Sequence, residues 1–359
     1  TPVPTPVPTP VPTPVPTPVP TPVPTPAPTA SAWLYTLLPT NTSADRNKIF
    51  DSQGNVWVGR GVNLPDLYLC GKNTNPGSTS ILTTLKGRVD RLVQDWHINL
   101  VRIPMDSTYG FGGYLDNVNN YRTNMIALVR YIGETYPGVR VELTVYDDGT
   151  FDAGARFGGT GCCMTSATYP LYQQMVSDFK DVPYVIFGLT NEPGGSGTFA
   201  ALATAMSDAV RVIREREDAL SLADGAGPRH HLIAVQGQWW TSEISYYNKN
   251  PIRVGGVLVD NIVYDVHGYL PAASEYTFAN IPVLISEYGI NAGQTASSLT
   301  SFLNDVEAKK LSHLAWMYDY RCTPDLIDSA GNVTSPFGTT VQQHLNSFRY
   351  VFPQGFTTP

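Results

Sequence analysis

Residues 184–193 run Tyr184-Val-Ile-Phe-Gly-Leu-Thr-Asn-Glu-Pro193: an apolar stretch that stops abruptly at Asn191-Glu192-Pro193. Its apolar residues are continuous rather than alternating, as in a strand covered on both faces. The same construction recurs at Gly61–Asn63, Leu100–Pro104, Val141–Tyr146, Leu232–Gln236, Ile262–Val266, Val283–Ser286 and Leu314–Met317. Between these runs the apolar period changes to 3.6. Leu85, Val89, Leu92 and Val93 share a face of 81–96, and Met125, Leu128, Val129 and Ile132 a face of 119–136. Residues 199–217 and 296–309 behave alike. Strand–helix alternation repeated about eight times predicts a single α/β domain, a (β/α)8 TIM barrel, over 31–359. A doubly wound open sheet competes, but no Gly-x-Gly-x-x-Gly or P-loop motif follows a strand. A hairpin over 49–58, turning at Gln53-Gly54-Asn55, is expected to close the barrel bottom.

The first 28 residues of the 359 repeat Thr-Pro-Val-Pro, with 14 of the 30 prolines. Alternating proline removes amide donors and fixes φ, so residues 1–30 are expected to be a disordered or polyproline linker, up to roughly 90 Å long. A net charge of −7 argues against nucleic acid as a partner. No run of 18 apolar residues proposes a membrane span, and no signal peptide is visible. The Thr/Pro spacer and tyrosine-rich composition lead us to expect a secreted protein. The four cysteines lack zinc spacing.

In such a barrel the chemistry sits at the C-terminal ends of the strands. There lie Arg102, Asn191-Glu192, His267-Gly268-Tyr269, Glu287 and Trp316. Two glutamates placed directly after apolar strands, three strands apart, would face one cavity. That is the equipment of glycoside hydrolysis: one protonated to donate, one ionised to attack or to activate water. Arg102 is expected to hold Glu287 ionised, Asn191 to reach a sugar hydroxyl, and Trp316 to floor a pyranose. Trp239 and Trp240 follow the fifth strand as candidate stacking platforms. Tyr68, Tyr109, Phe111, Tyr114 and Tyr318 are further aromatics of predicted top loops. No Gly-x-Ser-x-Gly elbow, His-Glu-x-x-His or other metal signature occurs, and no metal or organic cofactor is expected. Cys70 follows the first strand and Cys322 the eighth. These strands are neighbours once the barrel closes, so the two cysteines are disulfide candidates. Cys162-Cys163 could pair with each other, stay free, or take other partners.

Asn99-Leu-Val-Arg-Ile-Pro104, Asn191-Glu192-Pro193, His267-Gly268-Tyr269, Ser286-Glu287-Tyr288-Gly289 and Trp316, in this order, resemble glycoside hydrolase family 5, a cellulase family of (β/α)8 barrels. The resemblance implies a retaining, endo-acting glycanase, with Glu192 as acid/base and Glu287 as nucleophile. Arg102, Asn191, His267, Tyr269 and Trp316 match its supporting residues. It puts β-1,4-glucan first as substrate and mannan or xyloglucan second. A catalytically dead, sugar-binding barrel is the reading from another class. Where the family usually carries a histidine after the third strand, this chain has Tyr146-Asp147. The linker is similar to those joining cellulases to carbohydrate-binding modules, so such a module is expected before residue 1, on a chain that works as a monomer on polysaccharide.

Overall fold

A computed structural model describes residues 33–106, 113–146, 164–194, 197–225, 229–269, 273–290 and 294–348. Eight strands close into one parallel barrel. They are β1 (Arg60–Asn63), β2 (Leu100–Met105), β3 (Arg140–Val145), β4 (Val185–Gly188), β5 (Leu232–Gln236), β6 (Ile262–His267), β7 (Val283–Tyr288) and β8 (Ser312–Ala315). β8 pairs with β1 to complete the ring. The longer helices are α1 (Thr79–Trp96), α2 (Tyr121–Thr135), α3 (Tyr169–Phe179), α4 (Phe199–Asp224), α5 (Ala296–Ala308) and α6 (Phe337–Ser347).

The helices form where one apolar face can lie on the strands. In α1 this face is Leu85, Val89, Leu92, Val93 and Trp96, all buried. α4 runs past the expected Glu217 because nothing breaks it before Gly225, whose φ of 68° ends the helix in the left-handed region. Its last turn leaves Leu222 exposed. α3 and α6 were not anticipated from the periodicity. α3 starts with Pro170 in its first turn, a residue read more readily as a breaker than as a helix opening.

The inside of the barrel is layered, and the layers position the site. At the bottom Leu100, Ile186, Leu232, Val263, Leu284 and Leu314 form an apolar plug. The hairpin of Ile49–Phe50 and Val56–Trp57 closes it from below, with Leu34 and Ile49 in the same cluster and Trp57 against it. The layer above is polar: Asn63, Arg102, Glu142, Thr144, Gln236 and Asp265 are all wholly buried. Gly188 leaves room for it, since a Cβ there would lie 2.1 Å from Thr144 Oγ1. Arg102, expected at the end of its strand, sits in the middle of β2, because the ladder with β3 continues to Met105. It therefore lies below the mouth formed by the C-terminal ends of the strands and reaches up into it.

At the opposite end Glu307 gathers three cations or would-be cations. Arg60 donates to both its oxygens at 2.7 Å, and His313 and His344 lie 3.1 and 3.3 Å from Oε1. Burial would raise this carboxyl, but the hydrogen bonds from His313, His344 and Arg60 hold it far below the ordinary carboxylate range. A depressed carboxylate stabilises the fold above its unfolded value of about 4.3, and the benefit is lost as pH falls below that. Glu307→Gln is therefore expected to be less stable than wild type by about 1–3 kcal/mol near neutral pH. The gap should shrink as pH is lowered toward 3, read by denaturant unfolding at each pH. A gap constant with pH would contradict this account.

Candidate active site

The catalytic end is built by short backbone anchors beyond the strands. β4 stops at Gly188, two residues earlier than the apolar run, because a side chain takes over its ladder: Gln236 Oε1 accepts from Thr190 N at 3.0 Å. Thr241 Oγ1 then donates to the carbonyl of Asn191 at 2.7 Å, and Trp240 N to that of Pro193 at 3.0 Å. These contacts turn Asn191 and Glu192 over the barrel mouth.

Arg102 is the hub. Its Nη1 donates to Glu287 Oε1 at 2.7 Å and to Asn63 Oδ1 at 2.8 Å. Its Nη2 donates to Asn191 Oδ1 at 2.6 Å, and Nε to Thr144 Oγ1 at 3.3 Å. Asn63 in turn donates to the carbonyls of Ser286 and Ala315, which ties the hub to β7 and β8. Tyr269 Oη donates to the other oxygen of Glu287 at 2.9 Å. His267 stands between the glutamates, Nδ1 at 2.7 Å from Glu192 Oε1 and Nε2 at 3.5 Å from Glu287 Oε1. A carboxylate oxygen of Glu192, one of Glu287 and a nitrogen of His267 all lie within 4.8 Å of one another.

The two acids differ in environment. The side chain of Glu287 is 3% exposed and that of Glu192 21%. Burial raises the Glu287 carboxyl, His267 and Arg102 pull it down, and Glu192 adds to the rise. The donors aimed at it from Arg102 and Tyr269 bind the ionised form. Burial would lower His267, but Glu287 and Glu192 outweigh it and raise its affinity for a proton. Burial and the charge of Glu287 keep the hydroxyls of Tyr269 and Tyr146 protonated and so available as donors. Glu192, His267 and Glu287 are spaced to surround a cation, as are Glu307, His313 and His344. In the first cluster Arg102 binds the carboxylate of Glu287, and in the second Arg60 binds that of Glu307.

Tyr146, with Asp147 one of the two residues in the place of the family's usual histidine, lies just past the end of β3. Its ring stacks on Trp316, centroids 6.1 Å apart at 18°. Trp316 lies just past Ala315, the last residue of β8, rather than within the strand. Tyr146 and Trp316 also wall a cavity of about 260 Å³ with Pro65, Asp66, Tyr68 and Asp106. The Cys70–Cys322 disulfide, Cα–Cα 5.9 Å, and Met317 complete its far side. Trp239 and Trp240 are 48% and 46% exposed, both with φ of 55°, on the loop after β5. Tyr68, Tyr114 and Tyr318 are buried rather than presented on top loops. Tyr114 turns inward because its hydroxyl donates to Asp178 of α3 at 3.0 Å. Asp147, Tyr109, Phe111, Cys162 and Cys163 lie outside the described residues, as does the linker.

Asn63, Glu142, Thr144, Gln236 and Asp265 were not picked out as site residues. The available signal was a polar or charged side chain inside an otherwise apolar strand, which buried surroundings make costly unless it is partnered.

The family model for cellulase (glycosyl hydrolase family 5) matches residues 69–321. No curated protein matches the chain by sequence. Among solved structures it is similar to a β-glucanase from Saccharophagus degradans in complex with cellotetraose, at 19% identity and TM-score 0.65 over 85% of this chain and 92% of that one. It is also similar to the catalytic domain of a Thermobifida fusca endoglucanase with cellotetraose, at 17% identity and TM-score 0.61 over 84% and 95%. At these identities the likeness shows the fold. The family match spans most of the barrel, and it establishes that this chain belongs to glycosyl hydrolase family 5, the cellulase family, and is a glycoside hydrolase.

Proposed function

We propose that the chain is a retaining endo-glucanase that cleaves β-1,4-linked glucan by double displacement. The observation that carries this is the close approach of the Glu192 and Glu287 carboxylates across His267, within 4.8 Å. It supports the short separation of about 5–5.5 Å used by retaining enzymes over the ~6.5–9.5 Å that leaves room for an inverting water. Glu287, aimed by Arg102 and Tyr269, attacks the anomeric carbon. Glu192, the more exposed acid, protonates the leaving oxygen and then takes a proton from the water that releases the sugar. His267 steadies Glu192 through the 2.7 Å contact.

The glucan assignment draws on the cellulase family and on the two similar structures solved with cellotetraose. The Tyr146–Trp316 pair and the exposed Trp239 and Trp240 supply flat apolar surfaces for pyranose faces. A substrate of that size acts outside the cell, where the Cys70–Cys322 bridge persists.

Following the anomer released from a soluble β-1,4-glucan by proton NMR tests the stereochemistry. The β-anomer should appear first and mutarotate afterwards; initial α-anomer would sink the retaining mechanism. Glu192→Gln should lower kcat by ~10²–10⁴-fold on polysaccharide and much less on an aryl glycoside whose leaving group needs no proton. Equal loss on both substrates would remove Glu192 from the acid role. Across a panel of soluble glycans, kcat/KM should be highest on β-1,4-glucan; a higher value on mannan or xyloglucan would reassign the substrate.

A further inference from the structure

Two buried acids in the polar layer take no part in the chemistry above. Glu142 on β3 and Asp265 on β6 are both wholly buried. Glu142 Oε1 accepts from Thr144 Oγ1 at 2.8 Å and lies 3.5 Å from Arg102 Nε. Asp265 Oδ2 accepts from Gln236 Nε2 at 2.9 Å. The second oxygen of each, Glu142 Oε2 and Asp265 Oδ1, is buried without a hydrogen-bond partner. Two carboxylates in this state would be two acceptors with nothing to accept from. They would also compete with Glu287 for Arg102, the guanidinium whose Nη1 and Nη2 already donate to Asn63, Asn191 and Glu287. A proton on Glu142 removes one of these charges, so that its carboxyl no longer competes with Glu287 for Arg102.

We propose that Glu142 and Asp265 act as a buried acid pair that carries one proton, held on Glu142, and that this proton leaves the charge of Arg102 to Glu287. Both are positioning residues, acting on the nucleophile through Arg102, and their effect on catalysis rests on the assignment of Glu287 above. The groups facing Glu142 are Asp265 and His267 from β6, Arg102 from β2, and Thr144 from its own strand. Burial first, and then the charge of Asp265, push Glu142 up to about 8, against Arg102, Thr144 and His267. A carboxyl raised in the fold binds a proton there that the unfolded chain has released. Stability therefore falls as pH rises from about 4.3 toward 8 and levels off beyond.

The test compares the full chain with Glu142→Gln and with the double variant Glu142→Gln/Asp265→Asn. Denaturant unfolding is measured from pH 4.5 to 8.5. The unfolding constant of wild type relative to Glu142→Gln should rise with pH, approaching tenfold per pH unit at the steepest, because a neutral amide imitates the protonated acid. Parallel curves would mean that Glu142 is ionised in the fold, and would overturn the pair. This measurement involves no chemistry, so it stands or falls independently of the anomer experiment. The second readout is the acid limb of kcat/KM against pH, which reports the free enzyme's nucleophile. Glu142→Gln should leave that limb in place. The double variant removes the remaining negative charge beside Arg102 and should move it to lower pH by about one unit. An unmoved limb in the double variant would refute the link to Arg102 and Glu287. Should the double variant not fold, the slope measured on Glu142→Gln still decides whether the proton is there.

Discussion

Glu287→Ala is expected to lower kcat on β-1,4-glucan by on the order of 10⁴-fold or more, since among the described residues no other carboxylate is placed to reach the anomeric carbon from that side. Glu192 is held away by His267, and Glu142 lies a layer below. The fold should survive, because Arg102 keeps Asn63 and Asn191 as acceptors and Glu142 as a neighbour. A small anion can then enter the space vacated by the carboxylate. With an activated aryl glycoside, azide should restore turnover and yield the glycosyl azide of α configuration. Turnover within ~10-fold of wild type, or rescue that gives the β-azide, would show that another group is the nucleophile.

Arg102→Met should act on stability and activity together. Removing one partner of a buried ion pair leaves the other charge uncompensated, at a cost of about 3–5 kcal/mol. Here it strands the carboxylate of Glu287 and the amide oxygens of Asn63 and Asn191 at once. Arg102→Lys separates the two effects. It restores a charge, but one ammonium cannot meet Glu287, Asn63 and Asn191 in their present directions. Its unfolding free energy should recover most of the loss, while kcat/KM stays at least ~10-fold below wild type. If the lysine variant recovers full activity, the forked geometry has no part in aiming the nucleophile.

The candidate site was legible where chemistry interrupts a strand at its end. Asn191-Glu192, His267 and Glu287 each follow an apolar run, and a run of that kind has no structural use for a carboxylate at its mouth. Residues within the strands were harder to weigh. Asn63, Glu142 and Asp265 look like isolated polar positions in a linear reading, since their partners lie on other strands: Glu142 meets Arg102 of β2, and Asp265 meets Gln236 of β5. Side-chain aim was equally hidden. Tyr114 and Trp240 are both aromatics of connecting loops, yet one is buried against α3 and the other half-exposed.

Local pattern was enough for the alternation of strands and helices, for the family and for the two glutamates, because apolar period and strand-end motifs are properties of neighbouring residues. Which acid is the drier, that Tyr146 stacks on Trp316, and how one guanidinium serves β1, β3, β7 and the end of β4 depended on ring closure. Closure brings residues hundreds of positions apart within hydrogen-bond reach, and only there do burial and charge act on one another.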